Sequence, residues 1–275
     1  MAERSGGSQI TSLKNPVVQL ARRLTRPAER AEHDRFLIEG PNSVQAAVDA
    51  GVPVDTLLAT GQAASRHARL LADAARRGAQ VLEVTDQVMA SIAPTVTPQG
   101  MVAIAPGLTR PIEGLPTDAR LICVLDRVAD PGNLGTVLRA ADAAGADALV
   151  TTAGSVHADS PKAVRAAAGS LFHLPVFDAV PWPQVRDACR ARGLRLVGAD
   201  AHAGVGPDGA GLDGPVALVF GSEAHGLSEA ARADCDGLVR LPVYGRAESL
   251  NLAAAAAVLL YEVARRHHHE GAAGG

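Results

Sequence analysis

The stretch LVFGSEAHGLS at residues 218–228 decides how this chain is read. Val216 to Phe220 is a short apolar run, β-branched at two positions and stopped by Gly221, the pattern of a strand buried on both faces. Gly221 to Gly226 is polar and glycine-bearing, and open α/β sheets place ligands where a strand ends in such a loop. Downstream, Leu238 to Leu241 gives a second short strand halted by Pro242, and Val243 to Glu248 is a loop. ESLNLAAAAAVLL at 248–260 then opens a long alanine helix near Leu250, with Ser249 placed to cap it. Two loops and a helix start beside buried strands make one half of a site. The stretch DPGNLGTVLRAADAAGA at 130–146 is expected to supply the other half.

With 275 residues, two domains are expected. A hydrophobic content of 47% with only 3% aromatics predicts a core of Ala, Leu and Val. Cys123, Cys189 and Cys235 are scattered, which suggests neither a disulfide frame nor a zinc site and fits a reducing cytoplasm. No signal-like start and no 18-residue apolar run is seen, so secretion and membrane spanning are not expected. Net charge is −3, but residues 1–35 hold seven Lys/Arg against four Asp/Glu. This arm can touch phosphates, or it is an ordinary solvated helix face.

Strands and helices alternate along the whole chain, which predicts an α/β fold with mostly parallel sheets covered on both faces. Residues 1–110 read as a small β-α-β-α-β-α-β domain, with 1–9 disordered. The Pro- and Gly-bearing stretch 111–118 reads as a linker. Residues 119–268 form the second domain and 269–275 a disordered tail; the triplet His267 to His269, beside the Gly/Ala end, reads as a solvated, frayed terminus rather than a metal site.

The chain has no GxGxxG after a first strand, no Walker pattern and no GxSxG elbow. What remains is a Gly/Glu loop with Glu223, the pair Asn133 and Arg139, and Ser249 with Asn251. These groups bind, orient and polarise. They suit transfer between two bound molecules, where positioning supplies most of the rate. Each also has a plainer reading: Asn133, Ser249 or Asn251 as a helix cap, Glu223 as a loop salt bridge, and Arg139 as a surface arginine near Asp142.

Three segments resemble the SpoU (TrmH) family of RNA 2′-O-ribose methyltransferases, within the knotted SPOUT class. NLGTVLRAADAAGA at 133–146 resembles its Asn-x-Gly-x-x-x-Arg motif, LVFGSEAHGLS its Gly-x-Glu-x-x-Gly motif, and LPVYGRAESLNLAAAAAVLLYE at 241–262 its Leu-Pro…Ser-Leu-Asn motif. They occur in order and at family spacing. ITSLKNPVVQLARRL at 10–24 and RFLIEGPNSVQAAVDAG at 35–51 resemble the family's L30e/L7Ae-like substrate-binding extension. The likeness covers residues 10–266; the departures are Leu241 where isoleucine is common and a Gly/Pro-rich insert before Val216.

The resemblance implies a trefoil-knot C-terminal domain, S-adenosylmethionine as cofactor, and cofactor contacts at Gly221, Gly226, Leu241 and Leu250. For Gly221 the residue itself agrees, because a position lacking Cβ lets backbone approach a ligand. Asn133, Arg139, Glu223, Ser249 and Asn251 become the catalytic set, with Arg139 either general base or anchor for the hydroxyl and its neighbouring phosphate. The expected partner is RNA, ribosomal RNA before tRNA, with no DNA and no membrane. Five consecutive small residues at Ala253 to Ala257, on a helix apolar over a wide arc, suggest a homodimer through the C-terminal domain. A non-catalytic ribosomal-type RNA binder would not need the polar set, and a nucleotide-dependent oxidoreductase would need the missing Gly-rich fingerprint.

Overall fold

The computed structural model describes residues 9–93, 95 and 97–273, with the side chains of 270–273 left aside. Expectations for residues 1–8 and 274–275 lie outside the described residues. The chain forms two compact units: Met1–Leu108 with Asp159–Phe172, and Thr109–Ala158 with His173–Gly275.

The first unit carries α1 (Pro16–Arg23), α2 (Pro27–His33), β1 (Arg35–Glu39), α3 (Pro41–Asp49), β2 (Thr56–Thr60), α4 (Gly61–Arg66), α5 (Ala68–Arg76), β3 (Gln80–Val84), α6 (Asp86–Ile92) and β4 (Met101–Pro106). Asn15 caps α1 by accepting from Val17 N–H, with Pro16 at the first helical position. The sheet order is β1-β4-β2-β3. It is not mostly parallel as expected: β4 runs antiparallel to both β1 and β2, and only β2 and β3 are parallel. An intervening helix permits a parallel crossover but does not force one, and β4 returns between two strands already placed. Gln9, expected to be disordered, donates to Glu83, and Ile10 pairs beside β3.

The second unit carries β5 (Leu121–Leu125), α7 (Pro131–Ala143), β6 (Ala148–Thr152), β7 (Val176–Val180), α9 (Trp182–Arg190), β8 (Arg195–Ala199), β9 (Val216–Phe220), α10 (Glu229–Asp234), β10 (Gly237–Val239) and α11 (Leu252–Ala273); α8 (Pro161–Ala167) belongs to the first. All five strand pairings are parallel, in the order β10-β8-β9-β5-β6-β7. The strands β5 and β9 are buried at every position, as two-sided cover by helices requires. α11 packs on α7 and reaches Ala273, so residues 269–273, expected in a disordered tail, are helical, as is the whole triplet His267 to His269.

Two boundaries differ from the linear division. Residues 159–172, expected in the second domain, pack with the first unit through α8 and β1, where Arg165 pairs with the buried Glu39 at 2.8 Å and the buried Arg30 with Asp159 at 2.9 Å. The stretch 111–118 is not a free linker. Ile112 and Leu115 are core residues of the second unit, and Arg192 donates to the carbonyls of Glu113, Leu115 and Pro116. Proline and glycine mark irregular backbone, and here tertiary packing orders it. Arg192→Ala leaves three carbonyls without their shared cation, and is expected to lower unfolding free energy by roughly 1–3 kcal/mol in urea denaturation.

Candidate active site

The site is built on the C-terminal ends of β8, β9 and β10. A cleft of about 710 Å³ is lined by the loop Gly221–Leu227, the loop Leu241–Leu250, and Asp200 to His202 after β8. Its size is that of a small-molecule site. Within the first loop, Ser222 and Gly226 exchange two backbone hydrogen bonds of 2.9 Å. Gly226 has φ +66°, a left-handed conformation that glycine adopts without strain. Gly221 also lines the cleft, and a Cβ there would lie 2.0 Å from the Gly226 carbonyl carbon and 2.2 Å from Leu227 N, so the loop's own backbone requires a glycine at this position.

Asn133 and Glu223 meet. Asn133 Nδ2 donates to Glu223 Oε1 at 2.6 Å, joining the start of α7 to the cleft loop across 90 residues of sequence. Asn133 is not the cap of α7. Asp130 is, accepting from Asn133 N–H at 2.9 Å, which frees the Asn133 amide to face Glu223. Glu223 therefore holds Asn133 and not Arg139.

Arg139 sits exposed two turns into α7 and does not line the cleft. Among the described residues its side chain makes no hydrogen bond or ion pair; Asp142, its expected neighbour, is matched with His173 at 3.4 Å. Ser249 lines the cleft and does not cap α11. Asn251 does, with Oδ1 accepting from Ala254 N–H at 2.8 Å. The helix accordingly starts at Leu252, not near Leu250. Leu241 is half-buried and Leu250 is 44% exposed, and both line the cleft rather than the core.

Residues that the sequence reading passed over complete the walls. Asp200 closes the β8 end, where it accepts from His202 N–H and pairs with Arg232. Glu248 and the fully exposed ring of Tyr244 stand on the third wall. Asp126, directly after β5, is buried beneath the first loop. The only signal for it in sequence was a carboxylate ending an apolar strand. The cysteines take no part. Burial pushes the Cys189 thiol up to about 12 and, with three neighbouring aspartates adding to it, Cys235 as well, so neither is a thiolate at neutral pH. The described residues hold no cluster fit for a metal.

The donor set suits S-adenosylmethionine. The loops offer backbone groups and the aliphatic side chains of Leu241 and Leu250, α11 adds Leu259, and the Glu248 carboxylate matches a cationic ligand.

Residues 120–261 match the SpoU rRNA Methylase family, and residues 15–103 the MRM3-like substrate binding domain. The chain is 35% identical to the 23S rRNA (guanosine(2553)-2′-O)-methyltransferase RlmP of Bacillus subtilis, over 89% of this chain and 94% of that protein. It is 36% identical to a 23S rRNA (uridine(2479)-2′-O)-methyltransferase of Streptomyces viridochromogenes, over 89% and 88%. Among solved structures it resembles the AdoMet-bound rRNA methyltransferase from Sinorhizobium meliloti, with TM-score 0.84, 35% identity, and 94% and 98% of the two chains covered. The cleft at the strand ends, the Asn133–Glu223 link and these likenesses agree: the chain belongs to the SpoU rRNA methylase family.

Proposed function

We propose that this cleft and α7 methylate a ribose 2′-hydroxyl of 23S ribosomal RNA. The enzyme class follows from the family: the chain is an S-adenosylmethionine-dependent RNA 2′-O-ribose methyltransferase. The observation that carries the assignment of residues is the 2.6 Å bond from Asn133 to Glu223, which ties the helix of Arg139 to the cofactor loop. Bound S-adenosylmethionine supplies an electrophilic methyl group. Gly221, Gly226, Leu241 and Leu250 hold it through backbone and aliphatic surface. Transfer would break the bond from sulfur to the methyl carbon, leaving a neutral thioether, while the 2′-hydroxyl gives its proton to solvent water as the bond to carbon forms. A guanidinium stays protonated at neutral pH, so Arg139 anchors the adjacent phosphate and stabilises the developing alkoxide rather than taking the proton. Ser249 contacts the reacting ribose, and Asn251 fixes where the cleft loop ends. The two relatives share 23S rRNA but differ in the base, guanosine against uridine, at nearly equal identity. The rRNA thus follows from likeness while the nucleotide does not. Mapping 2′-O-methylation across 23S rRNA from a strain lacking the gene is expected to show one missing mark; an unchanged map with a mark lost from tRNA would overturn the reading.

The first unit reads the RNA. Of its basic N-terminal residues, Arg30 is buried on Asp159, Arg35 pairs with Asp55, and Arg23 lies 3.5 Å from Glu29. Lys14, Arg22 and Arg26 stay exposed around α1, whose other face is core. Reversing these three charges is expected to weaken RNA binding and reduce the log–log salt slope by about 2–3, with cofactor affinity unchanged. Unaltered RNA affinity in a salt titration would remove this face from the substrate path.

The active form is a cytoplasmic homodimer, its C-terminal domain knotted as in the family. Val258 and Tyr261 lie three residues apart on α11 with 50% and 53% of their surface exposed, beside an inner face of Ala256, Leu259, Leu260 and Val263 that is buried. A second copy covers them, and the two clefts then lie near the contact. Light scattering is expected to give twice the 28.1 kDa of one chain at micromolar concentration. A fully active protein at the single-chain mass would exclude the dimer.

A further inference from the structure

The buried carboxylate of Asp126 has no place in the chemistry above. It is 1% exposed, at the residue directly after β5. Its Oδ1 accepts from Thr152 Oγ1 at 2.9 Å, at the end of the neighbouring strand β6. Its Oδ2 accepts from Ser228 N–H at 2.7 Å, at the far end of the cleft loop. One side chain thus spans the ends of β6 and β5 and the chain leaving β9.

The two sides of this bridge differ in how firmly they are held. On the β6 side the backbone is stapled. Arg127 turns the chain with φ +56°, unusual for a residue with a side chain, and its N–H donates to Thr152 Oγ1 at 3.0 Å. Val128 N–H reaches Ser155 Oγ at 3.2 Å, and Val156 N–H reaches the Val128 carbonyl at 2.8 Å. On the other side lies the loop from Gly221 to Ser228. Its entry is fixed by β9, and inside it is held by the Ser222–Gly226 pair. Its exit is fixed by Asp126 and by the start of α10, which Ser228 caps through Ala231 N–H. A short helix start is a weak anchor; a charge-assisted bond to a rigid, buried carboxylate is a strong one.

The same two segments meet again at the Asn133–Glu223 bond. Residues 126–133 and 223–228 are therefore laced at both ends. We infer that Asp126 is a positioning residue for the cofactor: by fixing the loop exit it sets the backbone pose that S-adenosylmethionine meets, and it aligns that pose with α7. The inference rests on the reading of this cleft as the cofactor site.

Calorimetric titration of S-adenosylmethionine into the full-length protein tests it, with RNA affinity by filter binding as the second readout. Asp126→Ala leaves Ser228 N–H without its acceptor, and its cofactor Kd is expected to rise about tenfold or more, the size of one lost charged hydrogen bond. RNA affinity is expected to stay unchanged. Asp126→Asn keeps one oxygen for Ser228 and can donate to Thr152, so it is expected to bind cofactor within about threefold of the wild type. Gly221→Ala serves as the control for the cleft. If Asp126→Ala binds cofactor like the wild type while Gly221→Ala does not, the inference is wrong. Equal loss of cofactor and RNA binding would make Asp126 a general support of the fold and also overturn it. If wild type and Gly221→Ala bind alike, the cleft reading fails and takes the inference with it. Amide exchange in the cofactor-free wild type decides the matter even if Asp126→Ala does not fold. Ser228 N–H is expected to exchange about 100-fold more slowly than an unprotected amide, and exchange at the unprotected rate counts against the anchor.

Discussion

Replacing Arg139 with alanine is expected to lower single-turnover methyl transfer by roughly 10²–10³-fold, the usual loss when one stabilising donor is removed from a reacting oxygen. Affinity for S-adenosylmethionine should hold, because Arg139 neither lines the cleft nor pairs with any described residue that does. Its exposure is part of the argument. A guanidinium with no protein partner on a well-packed helix costs little to leave in water and remains available to a phosphate. Arg139→Lys keeps the charge but loses the planar fork, and should recover only a fraction of the rate. A substantial single-turnover rate for the alanine variant on its correct RNA would take Arg139 out of the mechanism.

Gly221→Ala should have the largest effect on the cofactor. The added methyl would sit 2.0–2.2 Å from three atoms of Gly226 and Leu227, all of them backbone. No side chain can swing aside, so the 221–228 loop must open and lose its Ser222–Gly226 pair. Cofactor affinity is expected to fall by about 100-fold, the equivalent of roughly 3 kcal/mol. The fold should survive, since β9 ends before the altered residue. Wild-type affinity in a titration would mean that the loop backbone does not hold the cofactor. The two variants together test the shared site. If Arg139 acts across the dimer, mixing Arg139→Ala protomers with Gly221→Ala protomers regenerates one intact cleft in each mixed dimer, made of a sound loop from one chain and a sound arginine from the other. Two inactive proteins should then give an active mixture. A mixture that exchanges subunits yet stays inactive would place Arg139 in the cleft of its own chain.

Much of the fold was legible because its signals are local. The run Val216 to Phe220 reads as a two-sided buried strand since a central parallel strand must be apolar at every position, and the structure pairs it on both sides. The helix stop at Gly145 follows from a backbone preference that acts within a few residues. The three motif segments named the family, and with it a chemistry that periodicity alone does not contain.

What sequence did not determine is where each polar group spends its hydrogen bonds. Asn133, Ser249 and Asn251 were each able to cap a helix, since capping needs only a short polar side chain at the right place. Asp130 took the first cap and so released Asn133 to Glu223; Asn251 took the second and so left Ser249 to the cleft. The glycine at 221 was legible as a need for missing bulk, but that the loop's own carbonyl excludes that bulk depends on how the turn folds back. Likewise Pro- and Gly-marked residues 111–118 read as a linker, and only the fan of bonds from Arg192, far along the chain, makes them part of the second unit. The antiparallel β4, the crossing of 159–172 into the first unit and the reach of Asp126 to Ser228 share one cause. Sequence determines which residues want burial, a cap or a partner; which of several equally suited partners satisfies them is decided only when distant segments compete for the same space.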